Sequence, residues 1–238
     1  MDIKELKLGV TNNYLIKAGN KYLLIDTGYD HLWELFCKRL KEAGVSLSEI
    51  SHLLLTHHHD DHSGLIHKVV EENPAIQIVM SYRAKDYLSA GQNHRTQRGG
   101  WVNRRVKLLF SLVGLFNKRW RTHTFPPYQA RVVDVLVKGE TRLKDIGIGL
   151  NGKIIETPGH CQDSISLVFD DGDCVVGDAA SNFPGLLGTH YCVIIIEDMN
   201  VYYESWRKLL TEGACRIFPA HGKPFPVEKL EQNIGKNR

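Results

Sequence analysis

A run of seven residues, Thr56-His57-His58-His59-Asp60-Asp61-His62, places four imidazoles and two carboxylates directly after an apolar segment, residues 53–55. That segment is short, branched and bounded by polar residues, which is typical of a buried strand. Residues 63–70 then have apolar side chains at helical spacing. The sequence therefore predicts a histidine-rich loop between a strand and a helix, where open α/β sheets usually carry their sites.

The composition of this loop indicates a metal site. Neutral imidazole is the commonest ligand for divalent transition metals, and carboxylate oxygen completes such sites. Because side chains alternate along an extended chain, His57 and His59 can bind one ion. Asp61 and His62 follow on a turning backbone and can hold a second ion beside it. The competing interpretation is a solvated loop or a tag-like histidine run, but a tag lies at a terminus and lacks interleaved carboxylates.

Length and composition favour one globular domain over residues 1–238. The chain is 42% hydrophobic and 24% charged, and no linker, repeat or low-complexity tract divides it. Because no apolar run approaches the roughly 18 residues of a membrane-spanning helix and the start lacks a signal-peptide pattern, we expect a cytoplasmic protein. The five cysteines are scattered without a CxxC pair, which argues against disulfides and against a thiolate zinc site.

Further polar residues lie close to the ends of other predicted strands. His160, Asp178 and His221 each have a glycine as a direct neighbour, and glycine lets the backbone turn tightly and approach closely. Asp26 ends another predicted strand, although such an aspartate taken alone is more often a turn or cap residue. A lone histidine is seldom a ligand, but this recurrence at several strand ends indicates one assembled site.

A basic insertion at about residues 87–133 contains nine Arg or Lys and no Asp or Glu. Apolar residues from Val102 to Trp120 recur in it at steps of three and four, which predicts a basic amphipathic helix. Its apolar face could simply pack on the core. The alternatives are a lid over the site, a dimer surface, or a contact with nucleic acid or an anionic membrane.

In order and type, the polar residues described above resemble the five motifs of the metallo-β-lactamase-fold superfamily, and the match covers nearly the whole chain. The fold that this resemblance implies is an α/β, four-layer αβ/βα sandwich, with two mixed sheets face to face, helices outside and metals at one edge. The resemblance also implies a set of seven metal ligands: His57, His59 and His160 on one ion, Asp61, His62 and His221 on the other, and Asp178 bridging them. Asp26 would orient the ligand loop through hydrogen bonds.

The chemistry expected of such a site is metal-dependent hydrolysis. A ligand set of nitrogen and oxygen suits two Zn²⁺ per chain, with manganese or iron as alternatives. Two adjacent ions share a water and lower its pKa from about 15.7 toward about 7, which provides a bridging hydroxide at neutral pH. Asp61 is the predicted catalytic proton acceptor and donor.

The predicted substrate is a small molecule, apolar or anionic, with a carboxylic ester, lactone, thioester or β-lactam bond. The Thr-His-His-His start resembles glyoxalase II, a thioester hydrolase, but the residues after His160 and His221 depart from that family. A phosphodiesterase or nuclease of the same fold is an alternative, because the basic insertion suits phosphates. A mononuclear-iron persulfide dioxygenase is a further alternative. Trp101, His190 and Tyr191 are predicted substrate contacts, whereas His58 and His94 match no pattern that distinguishes them.

Overall fold

The structure is a computed structural model that describes residues 1–94, 99–116 and 123–237, with side chains described as far as residue 112 in the middle stretch. The predicted amphipathic helix forms, and its described part spans Arg104–Phe116. Trp120, the last residue of that prediction, lies outside the described residues. No helix in the described ranges has both the length and the apolar character needed to cross a bilayer.

The described part of the chain contains fourteen strands. In chain order they are β1 (Ile3–Leu8), β2 (Thr11–Ala18), β3 (Lys21–Ile25), β4 (Ile50–Leu54), β5 (Gln77–Ser81), β6 (Gly100–Trp101), β7 (Val135–Val137), β8 (Thr141–Arg142), β9 (Gly152–Glu156), β10 (Ile165–Phe169), β11 (Asp173–Gly177), β12 (Ile195–Ile196), β13 (Arg216–Pro219) and β14 (Phe225–Pro226).

The helices within the same ranges comprise seven α-helices and four short 3-10 helices. The α-helices are α1 (Trp33–Glu42), α2 (Asp60–Ser63), α3 (Ile66–Glu72), α4 (Ala84–Ala90), α5 (Arg104–Phe116), α6 (Met199–Thr211) and α7 (Glu228–Glu231). The 3-10 helices span Asp30–Leu32, Leu47–Glu49, Leu143–Ile146 and Gly185–Leu187.

Two six-stranded mixed sheets carry the fold. The first has the order β1-β2-β3-β4-β5-β7, and the second has the order β14-β13-β11-β10-β9-β8. Strands β3 and β4 run parallel in the first sheet, as β11 and β13 do in the second. Because the carboxyl ends of parallel strands lie at the same sheet edge, Asp26 falls beside the histidine-rich loop and Asp178 beside His221.

Three apolar clusters separate four layers. The cluster between the sheets contains side chains from both of them, including Ile25, Leu54 and Phe218, all at most 7% exposed. The outer face of the first sheet packs against helices α1, α3 and α4, and the outer face of the second packs against α6 and α7. This helix–sheet–sheet–helix arrangement confirms the predicted αβ/βα sandwich.

The two sheets meet closely at the edge that carries the polar residues. The Ile165 N–H donates to the Thr56 carbonyl at 2.9 Å, which connects the second sheet to the loop after β4. Gly177, at the end of β11, has a φ of 52°, and a Cβ there would lie 2.4 Å from the Thr56 hydroxyl oxygen. Only glycine satisfies both the backbone angle and the close approach, so this residue permits the sheets to converge.

The apolar residues of 132–137 are typical of a strand, but in the structure β7 begins only at Val135. Asp134 is the reason, because its carboxylate accepts hydrogen bonds from the Arg131 backbone N–H at 2.7 Å and from the Tyr128 hydroxyl at 2.6 Å. These bonds hold residues 131–134 in a turn. Such local side-chain to backbone bonds compete with strand pairing.

Candidate metal centre

Asp26 fixes the start of the histidine-rich loop. One carboxylate oxygen accepts the Thr56 backbone N–H at 2.8 Å, and the other accepts the Thr56 hydroxyl and the His62 Nδ1–H, each at 2.8 Å. Asp26 is buried and has a φ of 59°, a strained angle for a residue other than glycine. Such strain persists where surrounding contacts enforce it, and it is concentrated at functional sites.

Three imidazoles form the first group of predicted metal-ligand donors. The ring centroids of His57, His59 and His160 lie 4.7 to 4.9 Å apart, and three of their nitrogens lie within 4.8 Å of one another. Burial, together with the neighbouring imidazoles, lowers the pKa of His57 and of His59 well below the ordinary value. Burial also lowers the pKa of His160. All three rings are therefore neutral at physiological pH, the state in which imidazole binds a cation.

A second group combines a carboxylate with two imidazoles. Asp61 oxygens lie 3.6 Å from His62 Nε2 and 3.4 Å from His221 Nε2. Burial acts to lower the pKa of both histidines, but the adjacent carboxylates outweigh it and raise the pKa of His62 to about 10 and of His221 to about 9. In turn, burial acts to raise the pKa of Asp61, but the two histidines lower it below its ordinary value. This group thus attracts positive charge even without an ion.

Asp178 lies between the two groups. Its Oδ2 is 3.5 Å from His160 Nε2 in the first group, and its Oδ1 is 3.5 Å from His62 Nε2 and 3.3 Å from His221 Nε2 in the second. Among the described residues, the buried Asp178 Oδ1, His57 Nε2 and His62 Nε2 have no hydrogen-bond partner. Buried polar atoms are rarely left unsatisfied, so these three atoms fit the role of ligand atoms for metal ions held in both groups.

The Nδ1 nitrogens of three predicted ligands, His62, His160 and His221, are held by oxygen atoms. His160 Nδ1–H donates to the Ile195 carbonyl at 2.8 Å, and His221 Nδ1–H donates to the Val10 carbonyl at 3.0 Å. His62 Nδ1–H donates to Asp26. These bonds orient the rings so that each Nε2 faces the site, an arrangement that is general for metal-binding histidines.

Sequence reasoning missed a buried pair beside these residues, His58 and Asp163. The His58 Nδ1–H and backbone N–H donate to the two Asp163 oxygens at 2.8 and 2.9 Å, and His58 Nε2 accepts the His94 backbone N–H at 3.0 Å. Burial acts to raise the pKa of Asp163, but His58 lowers it. The one signal in the sequence is that Asp163 follows His160 by three residues, and this spacing does not identify His58 as its partner.

A cavity of about 830 Å³ opens over the two groups. His59, Asp61, His160, Asp178 and His221 line its floor. Its walls are largely apolar or aromatic and include Val10, Tyr29, Leu32, Trp101, Phe110, Phe183, Val193, Ile194 and Ile195. Asp30, Asp60 and Glu197 are further charged lining residues, whereas no described lining residue is Lys or Arg. A cavity of this size holds a small molecule.

The three predicted substrate contacts fall in two places. Trp101 lines the cavity, where its ring stacks on Phe110 at a centroid distance of 5.8 Å. His190 and Tyr191 instead border a separate depression of about 190 Å³. The Tyr191 ring packs against Phe225 at 4.6 Å. Contact with substrate therefore stays a prediction for all three residues, and the geometry favours it for Trp101.

Several curated proteins are similar to this chain over most of its length. A "Beta-lactamase-like protein 2 homolog" of Caenorhabditis elegans is 26% identical over 94% of this chain and 60% of its own length. The "Probable metallo-hydrolase YqjP" of Bacillus subtilis is 25% identical over 94% of this chain and 72% of its own length. The "Atrochrysone carboxyl ACP thioesterase" of Aspergillus fumigatus is 25% identical over 97% of this chain and 56% of its own length. The chain thus spans only part of each relative.

Solved structures share the fold. An archaeal metallo-beta-lactamase superfamily protein from Sulfolobus tokodaii superposes with a TM-score of 0.65 at 18% identity, covering 98% of this chain and 84% of that one. A subclass B3 metallo-beta-lactamase of Bradyrhizobium japonicum does so with a TM-score of 0.61 at 18% identity, covering 92% and 74%. The family model described as "Metallo-beta-lactamase superfamily" matches residues 6–221. This chain therefore belongs to the metallo-beta-lactamase superfamily.

Proposed function

We propose that this chain is a hydrolase that holds two Zn²⁺ ions and cleaves a carboxylic ester, lactone or thioester of an apolar acyl group. Manganese or iron are alternative ions, because the nitrogen and oxygen donors do not select strictly among them. Membership of the superfamily, and relatives named metallo-hydrolase and thioesterase, support the hydrolase class. The bond and the acyl group are inferred from the site itself.

The observation that carries the proposal is the position of Asp178 between two complete groups of donors. His57, His59 and His160 would hold one ion, and Asp61, His62 and His221 would hold the other, with Asp178 contacting both. When bound, a pair of such ions supplies Lewis acidity and an activated water for attack on a carbonyl group.

Asp61 is the residue proposed to move protons. The neighbouring His62 and His221 keep its pKa below the ordinary value, so the carboxylate is ionised. The Thr11 hydroxyl lies 3.5 Å from Asp61 Oδ2 and limits the directions in which this carboxylate can turn. Because Asp61 also lines the cavity, it can return the proton to the leaving group of a substrate bound there.

The walls of the cavity favour an apolar acyl group over a phosphodiester. Trp101 and Phe110 form an aromatic side, and Ile194 and Ile195 extend it toward His160. The Asp60 carboxylate would repel phosphates, and none of the described lining residues is a Lys or Arg that could bind them. The basic side chains of residues 87–133 that the structure describes lie outside the cavity lining, so these particular residues give little support to phosphodiester cleavage there.

The experiment is a substrate panel run on protein of known metal content. The panel contains p-nitrophenyl esters of increasing acyl length, an acyl thioester, a lactone and bis(p-nitrophenyl) phosphate. We expect two zinc ions per chain and a turnover that rises with acyl length, disappears with chelator and returns with zinc. A single iron per chain with oxygen uptake on a persulfide, or turnover of the phosphodiester alone, would contradict the proposal.

The matched variants for this panel are His59→Ala and His67→Ala. His59 lies on the cavity floor, whereas His67 lies on α3 and lines no part of it. We expect His59→Ala to lose metal and turnover together, while His67→Ala keeps both. Equal losses in the two variants would indicate general misfolding rather than a role at the site.

A further inference from the structure

The outward face of helix α5 is both apolar and basic. Leu108, Leu109 and Leu112 are 66%, 42% and 50% exposed. Arg104, Arg105 and Lys107 are exposed on the same helix, which contains no acidic residue. We call the outward residues Arg104, Arg105, Leu108, Leu109 and Leu112 the α5 surface.

Packing on the core does not account for these leucines, because the inward face of α5 uses other residues. Val106 is fully buried, and the half-buried Phe110 stacks on Trp101 and lines the cavity. At about 100° per residue, Leu108 and Leu112 project on nearly the opposite side from Val106 and Phe110. The helix thus has two apolar sides, and the described residues cover one of them. Clustered apolar side chains left exposed generally mark an interaction site.

Hydrogen bonds hold α5 in this orientation. The Asn103 Oδ1 accepts the Val106 N–H at 2.9 Å, and its Nδ2 donates to the Leu187 and Gly188 carbonyls at 3.1 and 2.8 Å. The short 3-10 helix Gly185–Leu187, which contains one of these acceptors, also carries Leu186, which is 78% exposed. The exposed apolar area near the start of α5 therefore includes a second element.

We propose that the α5 surface docks onto an anionic membrane surface. Exposed leucines enter the boundary between headgroups and acyl chains, while adjacent arginines and lysines pair with anionic headgroups. Nucleic acid would use the cations but not the three leucines. A second copy of this chain would bring two sets of cations together, which costs free energy.

Docking in this way would bring lipid to the side of α5 that faces away from the cavity. Phe110, two residues from both Leu108 and Leu112 and on the opposite side of the helix, forms part of the cavity wall. The bilayer boundary and the cavity would then be separated by about the diameter of one helix, roughly 10 Å, which leaves an apolar acyl substrate a short path between them. This consequence rests on the proposed function, but the docking itself does not, because it depends on outward residues that line no part of the cavity.

Cosedimentation with vesicles tests the proposal. The probes are large unilamellar vesicles of phosphatidylcholine, with or without about one third phosphatidylglycerol. We expect the full chain to sediment with the anionic vesicles, to bind neutral vesicles at least about tenfold more weakly, and to dissociate as salt rises. The variant Arg104→Gln/Arg105→Gln should bind the anionic vesicles more weakly than the parent protein does, by a factor of about ten or more. Leu108→Ser/Leu112→Ser should reduce binding to both vesicle types.

The matched control for the arginines is Arg142→Gln/Lys144→Gln, which removes the same charge from exposed residues outside α5. The control for the leucines is Val132→Ser/Val133→Ser, which changes two exposed apolar residues. Both controls should bind as the parent does, and all variants should keep its thermal midpoint and metal content. Equal weakening by variants and controls, or no sedimentation with anionic vesicles, would overturn the proposal. A solution dimer that depends on Leu108 and Leu112 would also overturn the proposal. The same holds for a protein that binds RNA, loses RNA affinity in the arginine variant and does not bind vesicles.

Discussion

The Asp163 carboxylate accepts two hydrogen bonds from His58, one from the ring Nδ1–H at 2.8 Å and one from the backbone N–H at 2.9 Å. His58 lies between the predicted ligands His57 and His59, and Asp163 lies three residues after the predicted ligand His160. The pair therefore joins the two loops that supply the first group of donors. Neither residue lines the cavity, so we infer that the pair positions those loops.

Asp163→Asn tests this role. An amide oxygen can accept from one of the two His58 donors, but its NH₂ group then faces the other donor. We expect metal affinity to fall about 10- to 100-fold, the range usual for the loss of residues that orient metal ligands. Competition for zinc with a chromophoric chelator measures the affinity. Asp170→Asn, at an exposed position, is the control, and unchanged affinity in Asp163→Asn would contradict the positioning role.

The stability of the metal-free protein should depend on pH through the first group of donors. The folded protein holds the pKa of His57, His59 and His160 below the ordinary value of 6.5. The unfolded chain therefore binds more protons as pH falls below about 6.5, and the folded state loses stability. We expect the urea midpoint to decrease steadily between about pH 7 and about pH 5.

The second group has the opposite sign and does not obscure this effect. The raised pKa values of His62 and His221, about 10 and about 9, give stability that is complete below 6.5 and lost as pH rises through those values. The lowered pKa of Asp61 gives stability that is lost only as pH falls below its ordinary value of 3.8. A midpoint that stays constant between about pH 7 and about pH 5, or that rises as pH falls, would show the donors to be differently protonated.

Gly177→Ala should destabilise the fold. The new methyl group would lie 2.4 Å from the Thr56 hydroxyl oxygen, and alanine is strained at a φ of 52°. We expect a loss of about 1 to 3 kcal/mol in the free energy of unfolding, measured in urea. Gly149→Ala is the matched control, because its Cβ would meet nothing within 4 Å. Equal midpoints for the two variants would mean that the sheets can separate at this edge without cost.

Trp101→Ala should change substrate preference. Removing this indole from the cavity wall takes away apolar contact with a long acyl group, so kcat/KM should fall about tenfold for long chains and little for short ones. Tyr191→Ala is the natural comparison, because the sequence predicts both residues as contacts whereas only Trp101 lines the cavity. A selective effect in Tyr191→Ala would show that substrate reaches the second depression.

The sandwich could be predicted because the polar residues at the strand ends resemble the motifs of the superfamily, whereas the ligand roles of the seven residues stay a prediction. Histidines and aspartates at the ends of apolar strands can be read from composition and order, and the structure brings His160, Asp178 and His221 to the loop that carries His57. The His58–Asp163 pair could not be read in this way, since its members are separated by 105 residues and neither lies in a pattern. The position of Tyr191 outside the cavity likewise depends on its packing against Phe225, a contact that cannot be predicted from residue spacing.

The strand pair β6–β12 joins the cavity wall to the candidate metal centre. Trp101 lies opposite Ile195 in this pair, and the Ile195 carbonyl holds the ring of His160. A protein engineer who exchanges the insertion to change selectivity would therefore also disturb a predicted ligand. A successful graft should carry residues 195–196 together with residues 100–101, so that both strands of the pair are transplanted and the Ile195 carbonyl keeps its position toward His160.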